Sequence, residues 1–295
     1  MVSLKTALLS VLVAVNVAFV IGWLWAARHH RLRERPTLAD IAIGLVTDFL
    51  DALGIGSFAP TTALYKFRGN PADELIPGTL NVGHNAAAFL ETLLFVTAVP
   101  VEPLLLAAMV ASATAGAWLG AGIVSRLPRR AIQLFMGAAL LIAAVFFAMK
   151  NLSAFPEGGS SYGLSGWAFA LAVGVNFVLG ALMSIGIGNY APSMIVLSLL
   201  GMNPLAAFPI MMGSDGILQP VASLNFFRSG RFAQGPALGL VIGGAVGVLV
   251  AFFIVRQLPL TAMRWLVIVV VSYAAVSMLR SARRERTPAA RIALE

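Results

Sequence analysis

Apolar stretches long enough to span a bilayer, about 20 residues each, follow one another along this chain with only short polar runs between them. The pattern predicts nine helical segments, at roughly 7–27, 38–67, 75–98, 103–125, 131–149, 165–200, 204–227, 235–255 and 262–279. Segments 2 and 6 stand apart. Each is 30 residues or longer, enough for two half-helices, and each is interrupted by the same phrase. Gly54-Ile55-Gly56-Ser57-Phe58-Ala59-Pro60 recurs 132 residues later as Gly186-Ile187-Gly188-Asn189-Tyr190-Ala191-Pro192. Glycine and proline interrupt helices, and a bilayer tolerates freed backbone groups only where they are buried in protein or line a polar cavity. Paired interruptions at matching places are the sequence signature of a substrate site in transporters built from repeats.

The repeat runs beyond that phrase. Gly69-Asn70-Pro71 answers Gly201-Met202-Asn203-Pro204, Pro77 answers Pro209, and Arg126-Leu127-Pro128 with Ala131 answers Gln257-Leu258-Pro259 with Ala262. The organisation expected is an N-terminal transmembrane helix and basic loop (1–37), a first repeat (38–150), a connecting loop (151–164), a second repeat (165–280) and a basic tail (281–295). The glycine runs Gly116, Gly120 and Gly239, Gly243, Gly247 read as close helix packing rather than further breaks.

Composition agrees with this pattern. Hydrophobic residues make up 59% of the chain and charged ones 11%, which excludes a soluble globular domain. The net charge of +8 sits at segment ends, where it sets topology and touches anionic lipid, so no nucleic-acid partner is expected. Segment 1 exceeds a signal-peptide core and its arginines follow it, which reads as a retained helix. If every segment crosses, the twenty Lys and Arg residues divide twelve to eight between the two sides. If segments 2 and 6 turn back and leave by the side they entered, sixteen fall on the side of the C-terminus and four opposite. The positive-inside rule favours the second arrangement. It makes each half a re-entrant element plus three crossings, the two halves inverted, with the C-terminus cytoplasmic and the N-terminus outside. The fold class expected is therefore an all-α polytopic membrane protein with an inverted repeat and one extra N-terminal helix.

These residues resemble the sulfite exporter TauE/SafE family of bacterial permeases, over about residues 38–280. The resemblance rests on the two glycine turns followed by proline, on the small-residue run Gly116-Ala117-Trp118-Leu119-Gly120-Ala121-Gly122 leading to Arg126-Leu127-Pro128, and on Asn225-Phe226-Phe227-Arg228-Ser229-Gly230-Arg231-Phe232. Family turns carry a third glycine where this chain has Ser57 and Asn189. The resemblance implies a plasma-membrane carrier of small anions such as sulfite, sulfonates or related sulfur compounds.

The residues point the same way. A helix that starts at an interruption presents unpaired N–H groups and the positive end of its dipole, which suits an oxyanion without any lysine or arginine. The half-helices are expected to begin near Pro60 and Pro192, since proline suits a first helical position. The binding set predicted is Gly54, Gly56, Ser57, Pro60, Thr61, Thr62, Gly186, Gly188, Asn189, Pro192 and Ser193. Ionisable groups at membrane depth default to functional roles, and Asp48, Asp51, His84, Glu91 and Asp215 form a candidate proton-coupling set. An alternative is a cation or divalent-metal permease using those same oxygen and imidazole groups. No enzyme is expected: the His-Glu-x-x-His, Gly-x-Ser-x-Gly and Walker motifs are absent, and so is cysteine. No cofactor is expected either. The partners expected are a small anionic substrate and the lipid bilayer, with a homodimer open.

Overall fold

The computed structural model describes residues 4–30, 34–154, 158–186, 188–254 and 260–284. Among them the chain forms twelve α-helices: α1 (Leu4–His29), α2 (Leu38–Ala52), α3 (Phe58–Arg68), α4 (Ile76–Gly83), α5 (Asn85–Ala98), α6 (Pro103–Val124), α7 (Arg129–Asn151), α8 (Gly166–Met183), α9 (Tyr190–Leu199), α10 (Pro204–Ser229), α11 (Gln234–Ile254) and α12 (Leu260–Arg284). Five of these, α1, α6, α7, α8 and α11, are long and apolar enough to cross a membrane. Their outer surfaces carry exposed Val17, Ile21, Leu119, Ile123, Val145, Trp167 and Phe253. Apolar faces of that extent match a hydrocarbon surround rather than water. The protein is an all-helical, membrane-embedded structure.

Segments 2 and 6 are both split where the glycine phrase falls. α2 starts at a capping box in which Thr37 and Asp40 exchange side-chain and backbone bonds. It stops at Leu53, and the Gly54 N–H turns back to the Asp51 carbonyl at 2.7 Å. The second half repeats the turn, with the Gly186 N–H on the Met183 carbonyl at 2.9 Å. Gly54 and Gly186 have φ of 81° and 97°, a region that favours glycine. Both short helices also end on a left-handed glycine, Gly69 and Gly201.

At 15 residues α2 is about 22 Å long, too short to span a core of about 30 Å. It does not need to cross. Arg68, at the end of α3, pairs with Asp40 and donates to Thr37 Oγ1 at 2.9 Å, both at the start of α2. The α2–α3 element is therefore a hairpin whose two ends meet on one face. The α8–α9 element closes in the same way: Ser161 and Gly159, just before α8, bond backbone to backbone with Asn203 and Met202, just after α9, at 2.7 and 2.9 Å.

The two hairpins end on different faces. The Arg68 face also holds Lys66, which reaches Asp73 at 2.7 Å and Ser281 at 3.3 Å, and Arg231, which donates to the Leu127 carbonyl in the link after α6 at 2.7 Å. The other face holds the start of α6, where the Glu102 N–H meets the Tyr162 carbonyl at 2.8 Å. α6 joins the two faces, and its 22 residues cover about 33 Å.

Packing exchanges partners between the halves. α2 lies along α11, α8 lies along α6, and α7 lies along α12. The glycines make the first two contacts possible. A methyl placed on Gly243 or Gly247 would overlap the carbonyls of Ile41 or Leu45, and one on Gly116 or Gly120 those of Phe177 or Ala181. These runs serve close packing, as expected from the sequence.

Three expectations need correction. The half-helices begin at Phe58 and Tyr190, two residues before the prolines. Pro60 and Pro192 take the third helical position, which is still in the first turn, where an N–H has no intrahelical acceptor and is not missed. Segment 3 is not one continuous helix, because α4 and α5 meet at His84, which caps both. The last segment does not end at 279, since α12 continues to Arg284. Ile187, Arg256, Leu258, Pro259 and the tail from 285 lie outside the described residues.

Candidate functional site

The two breaks meet across one small cavity of about 40 Å³. Its wall includes Ile55, Gly56, Phe58 and Ala59 from the first break and Gly188 and Pro192 from the second, with Ala139, Ala143 and Phe147 of α7 closing it. A Cβ built on Gly56 or Gly188 would meet nothing within 4 Å. Glycine here leaves open space beside the backbone, which is what close approach of a ligand requires.

The predicted donors are placed as follows. Ser57, the residue before α3, does not cap that helix; its hydroxyl donates to Asp51 Oδ2 at 2.6 Å. Asn189 stands at the same position before α9, and its amide donates to Asp215 Oδ1 at 3.0 Å. The third position of each turn is thus tied to a carboxylate, one on α2 and one on α10. Ser193 bonds Asn189 Oδ1 at 3.3 Å and Asn176 Oδ1 at 3.4 Å. Asn176 in turn reaches the Met109 carbonyl at 2.8 Å and Ser214 at 3.4 Å. The hydroxyls of Thr61 and Thr62 are buried with no partner among the described residues.

The ionisable set converges from three elements of the first half and one of the second. His84 Nδ1 lies 2.7 Å from Asp48 Oδ1, both fully buried. Phe58, the first residue of α3, rests against the imidazole at 5.5 Å. Asp51 and Asp215 are within electrostatic range of each other, and Glu91 is within range of both and of Asp48. Asp51 and Asp215 are also only half-buried, whereas Asp48, His84 and Glu91 are buried. Asp48 Oδ2, His84 Nε2 and Glu91 Oε1 have no partner among the described residues. Polar atoms left in this way in an apolar interior are costly, at about 1–3 kcal/mol each, and mark where an ion, proton or water completes the bonding. Among the described residues no three His, Asp or Glu side chains come together as a metal site.

Sequence reading missed Asn176 and Ser214. Gln219 Oε1 is another buried acceptor without a partner among the described residues. Asn176 sits inside the apolar run of α8, and that polar intrusion was the available signal. Compared with known proteins, the chain matches no family model, no curated protein and no solved structure.

Proposed function

We propose that this chain is a secondary transporter with inverted halves, carrying a small anion of the sulfite or sulfonate kind between its two broken helices in company with protons. The convergence of the first turns of α3 and α9 on one cavity carries this reading. Two helix starts supply backbone N–H groups and positive dipole ends to a shared space. Hairpins that close on different faces support the inversion, because each would then present its helix start from its own side. No Lys or Arg is needed for such a site.

The carboxylates give the proposed coupling. An anion entering beside ionised Asp51 and Asp215 meets two like charges, and the donors Ser57 and Asn189 are already engaged by them. Protonation of the two acids removes the repulsion and loosens their hold on those donors. Proton and anion binding then favour one another, and the linkage is reciprocal. Anion affinity therefore rises as pH falls. The test uses methanesulfonate, whose own charge is constant across neutral pH, titrated against purified protein between pH 8 and pH 5. The expected result is tightening of at least about tenfold, equivalent to about 1.4 kcal/mol. In the double variant Asp51→Asn/Asp215→Asn affinity should persist with no pH dependence. A wild type that binds equally at all pH values rejects the coupling.

A second reading has one observation in its favour: the third-position side chains face carboxylates rather than open space, which suits a cation. Flux in proteoliposomes that requires a divalent metal and is stopped by EDTA would establish that reading in place of the first.

A further inference from the structure

The outer face of α12 changes character along its length. Val269, Tyr273 and Val276 are exposed and apolar or aromatic. Beyond them the same side of the helix carries Ser277, Arg280, Ser281 and Arg284, and these line a groove of about 460 Å³ together with Ser272, Tyr273 and Val276. Tyr273, Ser277, Arg280 and Arg284 recur at helical spacing, so their side chains share one face. The groove has a built wall. Phe67, exposed at the end of α3, stacks on Tyr273 with ring centres 4.7 Å apart and planes at 14°. Behind it, Lys66 Nζ reaches Ser281 Oγ at 3.3 Å. Among the described residues neither Arg280 nor Arg284 has an acidic partner within salt-bridge distance.

We propose that this groove binds an anionic phospholipid, with its phosphate on Arg280 and Arg284 and its acyl chains along Val276, Tyr273 and Val269. Arginine presents a planar fork that matches phosphate oxygens, and the serine hydroxyls add donors at the same level. Arg280 lies about 10 Å along the helix from Tyr273, the distance over which a lipid passes from headgroup to chain. A free phosphate would use only the arginine end. The continuous apolar strip beneath selects an amphiphile, and its position at the Lys66–Arg68 end of the molecule puts the headgroup among the cationic residues that gather there.

The test is native mass spectrometry of the full chain released from non-ionic detergent supplemented with phosphatidylglycerol or phosphatidylcholine. Phosphatidylglycerol should be retained about thirtyfold more strongly than phosphatidylcholine, the effect of two arginines near a lipid surface. Arg280→Gln/Arg284→Gln should remove that preference, whereas Arg126→Gln/Arg283→Gln, which deletes the same charge away from the groove, should keep it. All four arginines are exposed or at the surface, so the fold tolerates their loss. Equal retention of both lipids, an equal loss in the control pair, or full displacement by millimolar inorganic phosphate would each overturn the assignment.

Discussion

The two breaks share a backbone and differ in what surrounds them. Gly54 and Gly186 make the same turn, Ser57 and Asn189 precede the same kind of short helix, and Gly69 and Gly201 end it. The wiring then diverges. Ser57 finds its carboxylate six residues back on its own hairpin, whereas Asn189 finds Asp215 on α10. The open end of the first hairpin is held by charge, through Arg68 with Asp40 and Lys66 with Asp73, and the second by backbone bonds to Ser161 and Gly159. α3 also packs on α12, while among the described residues α9 has no comparable contact with α7, and the cavity lies there instead. The two matching phrases share the turn and differ in the partners of their side chains. One hairpin is secured locally and the other depends on the rest of its half.

The largest effect should come from forcing apart the helices that carry the hairpins. Gly243→Leu and Gly116→Leu each drive a side chain into a carbonyl across a packed interface. Overpacking costs about 1–3 kcal/mol or more even where neighbours can shift, and a backbone neighbour cannot. Neither variant should yield folded, monodisperse protein in size-exclusion chromatography. If only one fails, the two interfaces are not the equivalents that their glycine runs suggest.

Next come the glycines beside the cavity. Gly56→Leu and Gly188→Leu place their side chains in open space, so the protein should remain folded while substrate flux in proteoliposomes falls by at least about tenfold. Gly56 has a φ of 91°, so its substitution should also lower stability by about 1–2 kcal/mol. Retained flux in both variants would remove the breaks from the transport path.

The smallest effect distinguishes the wiring itself. Asp215→Ala leaves the Asn189 amide buried and deprived of its carboxylate, a loss of about 1–3 kcal/mol. Asp51→Ala should cost less, about 1 kcal/mol, because the Ser57 hydroxyl can turn to a nearby backbone oxygen. Thermal unfolding in detergent measures both. The reverse order would show that the first hairpin, not the second, leans on its carboxylate.

What the sequence revealed follows the same division. The breaks and the packing glycines were legible because each depends on a residue type with one dominant physical property: a φ only glycine favours, or a surface without a side chain. The return of α3 to its starting face was legible through charge placement, and Arg68 on Asp40 is its structural counterpart. The split at His84 was not, since the neighbouring Gly83 reads equally as a packing glycine, and it does pack, against Leu240. Nor were the donors' partners. That Ser57 and Asn189 turn toward Asp51 and Asp215 depends on how helices from both halves are stacked, which no local spacing records. The helix starts were misplaced by two residues for a related reason: proline suits any position in the first turn, so it fixes the turn and not the residue.

Gly244 lies on α11 among the packing glycines, yet its neighbour is not a carbonyl but the free oxygen of Asp48, which a methyl there would overlap. That position joins two constraints usually kept apart, the shape of a helix seam and the room around a buried acid. Alanine at 244 would alter no charge, but it would push the tip of the Asp48 side chain, whose other oxygen meets His84, from its place. The seam between α2 and α11 therefore bounds the room left to Asp48, and a change made for tighter packing would reach that buried carboxyl group.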